Sequence, residues 1–181
     1  MISLTIQVDY ASAKWKKAFV KMNSKIEEAV AAAFLGAKKP KAFAGRNFDV
    51  AVVLADDKML KELNHTFRGK NKPTNVLSFP QMKMKGLRAK DLDSFPPDDA
   101  IPLGDIVIAH ETVAREARTQ KKEIEGHTLH MVIHGTLHLL GYDHMSGKDA
   151  KAMETLEKEI LAGMGYDDPY AEPKPLKKRK S

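Results

Sequence analysis

Three unequally spaced histidines are the residues of this chain best suited to chemistry. They are His134, His138 and His144, in the stretch HGTLHLLGYDH. Two histidines four residues apart lie on one face of a helix, about 6 Å apart along its axis, so both imidazoles can reach one metal ion. A straight helix cannot bring His144 to the same ion, but Gly141 can adopt a left-handed conformation, end the helix and turn the chain back. Three imidazoles with an open fourth position form the ligand set of a catalytic zinc site.

A zinc ion held by three neutral imidazoles keeps one position for water and lowers the pKa of that water to about 7. Its binding depends on pH because a protonated imidazole cannot bind metal. Three imidazoles also accept nickel, cobalt or copper, so the residues leave the metal open. Two further histidines, His127 and His130, are not followed by a glycine turn and another histidine within reach. We therefore interpret them as packing residues or as partners of the ligands.

The same spacing occurs in the metallopeptidase pattern H-E-x-x-H-x-x-G-x-x-H, with one difference. The glutamate of that pattern, which takes a proton from the metal-bound water, is replaced here by Gly135. Peptide hydrolysis would need another carboxylate, for which Asp143 and Glu111 are the candidates. A phosphodiester is the more natural target, because its transition state carries extra negative charge that a metal ion and a guanidinium can stabilise.

A group of cations could supply part of that stabilisation. Arg68, Lys70 and Lys72 precede the sequence Pro-Thr-Asn, and Arg68 follows Phe67 at the end of a predicted helix. A cation at this place also suits the helix C-terminus. Taken alone, a solvated basic loop is the simpler interpretation of these residues.

The composition is that of an ordinary soluble domain. The chain has 181 residues, of which 43% are hydrophobic and 30% charged, enough for one domain with a sizeable core. It has no cysteine, which excludes disulfides and thiolate metal sites and suits a reducing cytoplasm. We find no apolar run long enough to span a bilayer and no secretory signal pattern at the N-terminus.

The net charge is concentrated at the C-terminal end. Residues 171–181 contain four Lys, one Arg and one Glu, which together carry +4 of the net +6. We divide the chain into a domain of residues 1–168 and a basic tail of residues 169–181, which we predict to be disordered. The tail either touches an anionic partner or only aids solubility.

The elements that position these residues follow from hydrophobic periodicity. The predicted strands are 3–8, 48–54, 72–80 and 104–109, and the predicted helices are 12–35, a helix from the Asp56 cap to Phe67, 111–122, 127–140 and 147–161. The polar stretch 81–102 is predicted as a long loop. We expect one α/β (α+β) domain, a small mixed sheet packed with helices, with the zinc-site helix in the C-terminal half. The strands that end at residues 80 and 109 should pair antiparallel.

Three segments together resemble one protein family. They are Leu63–Pro80, which contains NHTFRGKNKPTNVLSFP, then Leu103–Ile108, and His134–His144. In residue types and in order they are similar to the YbeY family of bacterial endoribonucleases of ribosomal RNA maturation. The match spans about residues 50 to 165.

The resemblance implies a single-domain protein with one zinc ion per chain on His134, His138 and His144. It implies cleavage of single-stranded RNA near the 3′ end of small-subunit ribosomal RNA, a part in ribosome quality control, and a cytoplasmic location. The expected partners are RNA and the ribosome or ribosomal proteins, not a membrane. The family's catalytic arginine aligns with Arg68. The 81–102 loop and the basic tail are not core features of the family.

On this interpretation several residues surround the metal. Zinc-bound water deprotonates the ribose 2′-OH or attacks phosphorus, and Arg68 stabilises the phosphoryl charge. Lys70, Lys72 and Ser78 position the RNA backbone. Asp105 accepts a hydrogen bond from a ligand imidazole, unless it only caps or pairs at a strand edge. The alternative function is a metal-stabilised, ribosome-associated binding factor with little activity of its own, since no protein general base is evident.

Overall fold

A computed structural model describes residues 2–144 and 146–172 of the chain. Residues 173–181, most of the predicted basic tail, lie outside the described residues. The described part contains four strands and five α-helices: β1 Ser3–Tyr10, α1 Met22–Gly36, β2 Asn47–Ala55, α2 Asp57–Arg68, β3 Val76–Pro80, β4 Ala100–Ala109, α3 His110–Thr119, α4 Ile124–Leu139 and α5 Gly147–Gly163.

The strands form one mixed sheet in the order β1-β2-β4-β3. β1 pairs with β2, and β2 with β4, in parallel. β3 lies at the edge and runs antiparallel to β4, with Val76 opposite Ile108 and Pro80 opposite Gly104. The mixed sheet and the antiparallel pair predicted from the sequence are therefore confirmed.

Both faces of the sheet are covered. Along β2, alternate residues enter the larger core, which lies between one sheet face and the helices α1, α4 and α5. A smaller core between the other face and α2 contains Leu60, Leu77 and Val107. Because β4 contributes to both cores, it is almost continuously apolar, as a strand buried on both faces must be.

The helix α4 lies at the centre of the packing. It contacts α1, α3, α5, β3 and β4. Most of its residues are buried around its whole circumference, including four polar ones, His127, Thr128, His130 and Thr136. A helix that is buried on all sides cannot rotate or shift without disturbing several neighbours, so side chains on it are held in fixed positions.

The prediction of one long helix over residues 12–35 is wrong. The segment contains a short 3₁₀ turn, Ala13–Lys17, and α1 begins only at Met22, after Lys21 with φ of 55°. The cause is Trp15, which is fully buried and donates its indole N–H to the Ala55 carbonyl at 2.7 Å. Seating that ring at the end of β2 outweighs the helical periodicity of the segment.

The stretch 81–102 is also more ordered than predicted. It contains a 3₁₀ turn, Ala89–Leu92, and its last residues already belong to β4. Leu92 is buried in the main core, and the Arg46 guanidinium donates to the carbonyls of Leu92 and Phe95. One buried leucine and one arginine therefore fix a segment whose sequence shows no periodicity.

Candidate metal centre

The three predicted ligands converge. His134 and His138 lie on the last two turns of α4, and their Nε2 atoms are 3.0 Å apart. His144 follows the helix, with its ring centroid 5.7 Å from that of His134 and 5.0 Å from that of His138. One ligand atom from each residue lies within 4.8 Å of the others. Tetrahedral zinc requires nitrogens roughly 3.3 Å apart, so the three imidazoles are close to the spacing of a shared ion.

Gly141 makes the turn that brings His144 back. It has a φ of 85°, and the N–H groups of Gly141 and Tyr142 donate to the carbonyls of His138 and Leu137 at 3.0 Å. This left-handed ending terminates α4 directly after the second histidine. A Cβ at Gly141 would lie 2.7 Å from the Cβ of Met84, so glycine is required for space as well as for conformation.

Hydrogen bonds orient two of the imidazoles. The Nδ1 of His134 lies 2.7 Å from Glu157 Oε1, and the Nδ1 of His138 lies 2.9 Å from the Tyr142 carbonyl oxygen. A carboxylate and a carbonyl oxygen only accept, so each Nδ1 carries the proton and each Nε2 keeps its lone pair for a metal. His144 is exposed, and its Nδ1 lies 3.4 Å from Asp143 Oδ1.

Glu157 on α5 is a fully buried carboxylate with three donors. It accepts from His134, from His130 Nε2 at 3.1 Å, and from the Tyr170 hydroxyl. Burial alone would raise the pKa of Glu157, but these hydrogen bonds outweigh burial and lower the pKa to about 2. Burial lowers the pKa of His138, which keeps that imidazole in the neutral form that binds metal.

The donor set fits a metal ion. Two half-buried imidazoles present unprotonated Nε2 atoms to one point, and a third, exposed imidazole completes the group. The exposed His144 puts one side of the group in contact with solvent, and catalytic zinc sites take their fourth ligand from solution. The group could therefore hold a metal ion.

Gly135, the position of the peptidase glutamate, has no space for a side chain. A Cβ there would lie 2.7 Å from Ile106 Cγ2 and 3.1 Å from Ser78 Oγ. This packing sterically excludes a glutamate base next to the first ligand. Of the alternative bases, Glu111 already has partners: it accepts from the Asp57 N–H at 3.1 Å and pairs with Lys14.

The predicted cationic residues come together in a cavity of their own. Arg68, Lys70 and Lys72 line a cavity of about 360 Å³, together with Arg115 and Glu116. None of the three histidines lines this cavity. We call this group of residues the cation cavity.

Ser78 and Asp105 lie on the strands next to α4. The Ser78 side chain faces Gly135, so β3 brings this side chain against α4, the helix that carries His134 and His138. Asp105 lies on β4 opposite Phe79. The sequence predicts that it accepts from a ligand imidazole or else caps or pairs at a strand edge; the acceptor for His134 Nδ1 is Glu157. The role of Asp105 stays a prediction.

Sequence reasoning missed three residues of these sites: Glu157, Tyr170 and Arg115. For Glu157 a signal exists, since it falls at helical spacing among Met153, Ile160 and Leu161 on the buried side of α5. A carboxylate on an apolar face must have partners, and His130 and His134 are those partners. Neither Tyr170 nor Arg115 stands out in the sequence.

Comparison with known proteins finds a family and relatives that match most of this chain. The family model described as Endoribonuclease YbeY matches residues 10–165. A curated relative from Bradyrhizobium sp., named Endoribonuclease YbeY, is 48% identical over 124 residues, which cover 68% of this chain and 70% of that protein. A relative of the same name from Sphingopyxis alaskensis is 44% identical over 167 residues, covering 90% of this chain and 95% of the other.

A solved structure has the same fold. The solution structure of TM1509 from Thermotoga maritima is 26% identical, covers 92% of this chain and 99% of that one, and has a TM-score of 0.50. The family model and these relatives define the class of the protein as a nuclease, built here on a single mixed sheet packed with helices. The chain belongs to the YbeY endoribonuclease family, as its sequence motifs predict. None of the helices in the described residues is both long and apolar enough to cross a bilayer.

Proposed function

We propose that the protein cleaves phosphodiester bonds of single-stranded RNA with one zinc ion held by His134, His138 and His144. The observation that carries this proposal is the convergence of the three imidazoles, two of them with their protons fixed on Nδ1. When bound, zinc supplies a Lewis acid that stabilises charge on phosphoryl oxygens and makes water acidic enough to react at neutral pH.

The chain's own residues would then bind and orient the substrate. The guanidinium of Arg68 neutralises charge on the phosphoryl oxygens, and Lys70 and Lys72 hold neighbouring phosphates. Arg115 adds a second guanidinium to the same cavity, fixed by Thr112 Oγ1 at 2.8 Å and by Asp57 at 3.6 Å. The Ser78 hydroxyl would donate to the RNA backbone; its position beside Gly135 on α4 supports this role.

Selectivity for single strands is supported by an exposed aromatic residue, Phe67, which packs on the partly buried Phe79. Phe67 is 65% exposed, lies next to Arg68, and packs edge-on against Phe79 with ring centroids 5.1 Å apart. A base can stack on such a ring only when it is unpaired, and stacking is tolerant of base identity. Duplex RNA would offer phosphates to the cations but no base face to Phe67.

We place the substrate at the 3′ end of small-subunit ribosomal RNA, in maturation and in ribosome quality control within the cytoplasm. Support comes from family membership, since the relatives are named endoribonucleases. The net charge of +6 suits an RNA-rich partner such as the ribosome. We further propose that the basic tail, residues 169–181, contributes to RNA affinity, because four lysines and an arginine are concentrated there.

A second candidate function is a metal-stabilised ribosome-binding factor. It is favoured by the absence of a carboxylate base at Gly135, where the packing leaves no room for one. On this alternative the ion would tie the end of α4 to the following segment and contribute to folding rather than to chemistry.

One experiment separates the two candidates. His138→Ala should abolish cleavage of a ribosomal RNA fragment and remove zinc, while circular dichroism and the cooperative unfolding transition remain. The matched control is His65→Ala, an exposed histidine on α2. Loss of the fold together with cleavage would favour the binding factor, and full activity of His138→Ala or of chelator-treated protein would contradict the zinc nuclease.

A further inference from the structure

The segment that follows α5 packs back onto the body next to α4. Lys122 Nζ donates to the Pro169 carbonyl oxygen, and Lys158 lies 3.4 Å from Asp168. The Tyr170 N–H donates to Asp168 Oδ1 at 2.8 Å, and Lys158 Nζ lies 5.3 Å from the centroid of the Tyr170 ring. These contacts hold Tyr170 in one place even though its side chain is partly exposed.

Tyr170 connects this segment to the metal centre. Its hydroxyl donates to Glu157 Oε2, and Glu157 Oε1 accepts from Nδ1 of the ligand His134. The Tyr170 ring also packs edge-on against His130, with centroids 5.4 Å apart. Burial, together with the hydrogen bond to Glu157, raises the pKa of the Tyr170 hydroxyl, so it remains a donor at physiological pH.

A carboxylate with a single donor could rotate about its terminal bond. Glu157 has donors on both oxygens, because Tyr170 and His130 occupy Oε2 while His134 occupies Oε1. The plane of the carboxylate is therefore fixed, and with it the direction in which His134 presents Nε2. Without the hydroxyl, the buried Oε2 keeps only His130 at 3.1 Å, so it loses one of its two partners and the carboxylate is held less firmly.

We propose that Tyr170 is a positioning residue of the metal centre, which holds Glu157 so that His134 is directed at the ion. The inference rests on the proposed metal site. It predicts that metal affinity depends on a hydroxyl supplied from beyond the last helix, 36 residues after His134 along the chain.

Tyr170→Phe tests the proposal, and Tyr166→Phe is its matched control. Tyr166 lies in the same segment and donates to Glu125 at 2.6 Å, but Glu125 pairs with Lys25 and not with a ligand. The measurement is the zinc dissociation constant of the full-length protein, from competition with a chelator. Tyr170→Phe should weaken zinc binding roughly tenfold, the lower end of what loss of an outer hydrogen bond to a metal site costs, while Tyr166→Phe leaves it unchanged.

A double-mutant cycle separates positioning from general stability. In a Glu157→Gln background, Tyr170→Phe should weaken zinc binding no further, since both substitutions act through one carboxylate. The Co²⁺-substituted protein should show a shifted d–d spectrum for Tyr170→Phe and not for Tyr166→Phe. Equal zinc affinity of Tyr170→Phe and the wild type, or equal weakening by both tyrosine variants, would overturn the inference. Failure of the wild type itself to bind zinc would instead overturn the proposed function.

Discussion

The metal centre and the cation cavity differ in how their side chains are held. At the metal centre, His134 and His138 lie on a helix buried on all sides, and each Nδ1 has a partner within 2.9 Å. In the cation cavity, Arg68, Lys70 and Lys72 are exposed at the end of α2 and in the loop that follows. One region has a single geometry, and the other is built from long side chains with many rotamers.

This difference matches what each region would bind. A metal ion tolerates errors of only a few tenths of an ångström in its ligands, so its site needs a rigid support and satisfied outer hydrogen bonds. A phosphate backbone is attracted by charge over a longer range and is not read atom by atom. Changes around α4 should therefore act through geometry and packing, and changes around the cation cavity should act through charge.

Of the substitutions that test the difference between the metal centre and the cation cavity, Arg68→Ala should have the largest effect on cleavage. We expect cleavage to fall by about 10²- to 10³-fold, because the guanidinium charge that stabilises the phosphoryl transition state is lost. Zinc content should stay near one ion per chain, since Arg68 lies outside the histidine group. The measurements are single-turnover cleavage and elemental analysis.

The control for that substitution is Arg118→Ala, an exposed arginine near the end of α3. It removes the same charge from outside the cavity and should change cleavage by less than about twofold. If Arg68→Ala lost zinc as well, the two regions would not be separable. Unchanged cleavage would remove Arg68 from the mechanism.

Gly135→Ala tests the packing of α4 against the sheet. The added methyl would meet Ile106 Cγ2 at 2.7 Å, so we expect a loss of about 1–3 kcal/mol in the free energy of unfolding, despite the better helix propensity of alanine. The control is Gly163→Ala on α5, where a Cβ meets nothing within 4 Å and should be neutral or stabilising. Urea unfolding measures both, and equal stability of Gly135→Ala and the wild type would show that α4 can move away from the sheet.

How far the site could be predicted depends on the range of the contacts involved. The spacing of His134, His138 and His144 around Gly141 describes one helix and one turn, so local geometry was sufficient to bring the group together. Glu157 belongs to another helix, 23 residues after His134, and its approach depends on how α5 packs against α4. Rules based on the spacing of residues along the chain do not predict how α5 packs against α4.

The errors in the fold have the same origin. Residues 13–35 have helical periodicity, yet burial of Trp15 against the end of β2 divides the segment. Residues 81–102 have none, yet Leu92 and Arg46 anchor them to the core. A mixed sheet with one antiparallel pair was predictable because its strands appear as alternating or apolar segments, whereas the strand order and the two parallel pairs were not predicted. Where a single side chain decides the local structure through a distant contact, periodicity misleads.

Phe67→Ala tests whether an RNA base stacks on the ring of Phe67, a contact that does not depend on charge. We expect binding of a single-stranded oligonucleotide to weaken about fivefold, at the low end of the range for a base–aromatic stack, because one edge of the ring already packs on Phe79. Phe67→Trp should restore it. An abasic substitution at one position of the oligonucleotide should remove the difference between variant and wild type. The control is Leu35→Ala, 75% exposed on α1, which should leave binding unchanged.

The smallest expected effect is a change in acid stability from Glu116, at the edge of the cation cavity. Its carboxylate accepts from Asn75 Nδ2 at 3.0 Å and from His127 Nε2 at 2.8 Å. Burial would raise the pKa of Glu116, but these two hydrogen bonds and the nearby Arg115 outweigh burial and lower the pKa. A carboxyl whose pKa is lower in the folded state stabilises the fold above its unfolded value, near 4.5, and loses that contribution as the pH falls below it.

Glu116→Gln should therefore flatten the acid limb of the stability curve. The difference from the wild type between pH 7 and pH 3 should be below about 1 kcal/mol, because the side chain is partly solvated. Urea unfolding across this pH range measures it, with Glu62→Gln on the exposed face of α2 as the control. The opposite outcome is a parallel shift of the free energy of unfolding at every pH, with the same slope below pH 4.5. It would mean that Glu116 acts through packing and not through its charge, so the edge of the cation cavity would be held as rigidly as the metal centre.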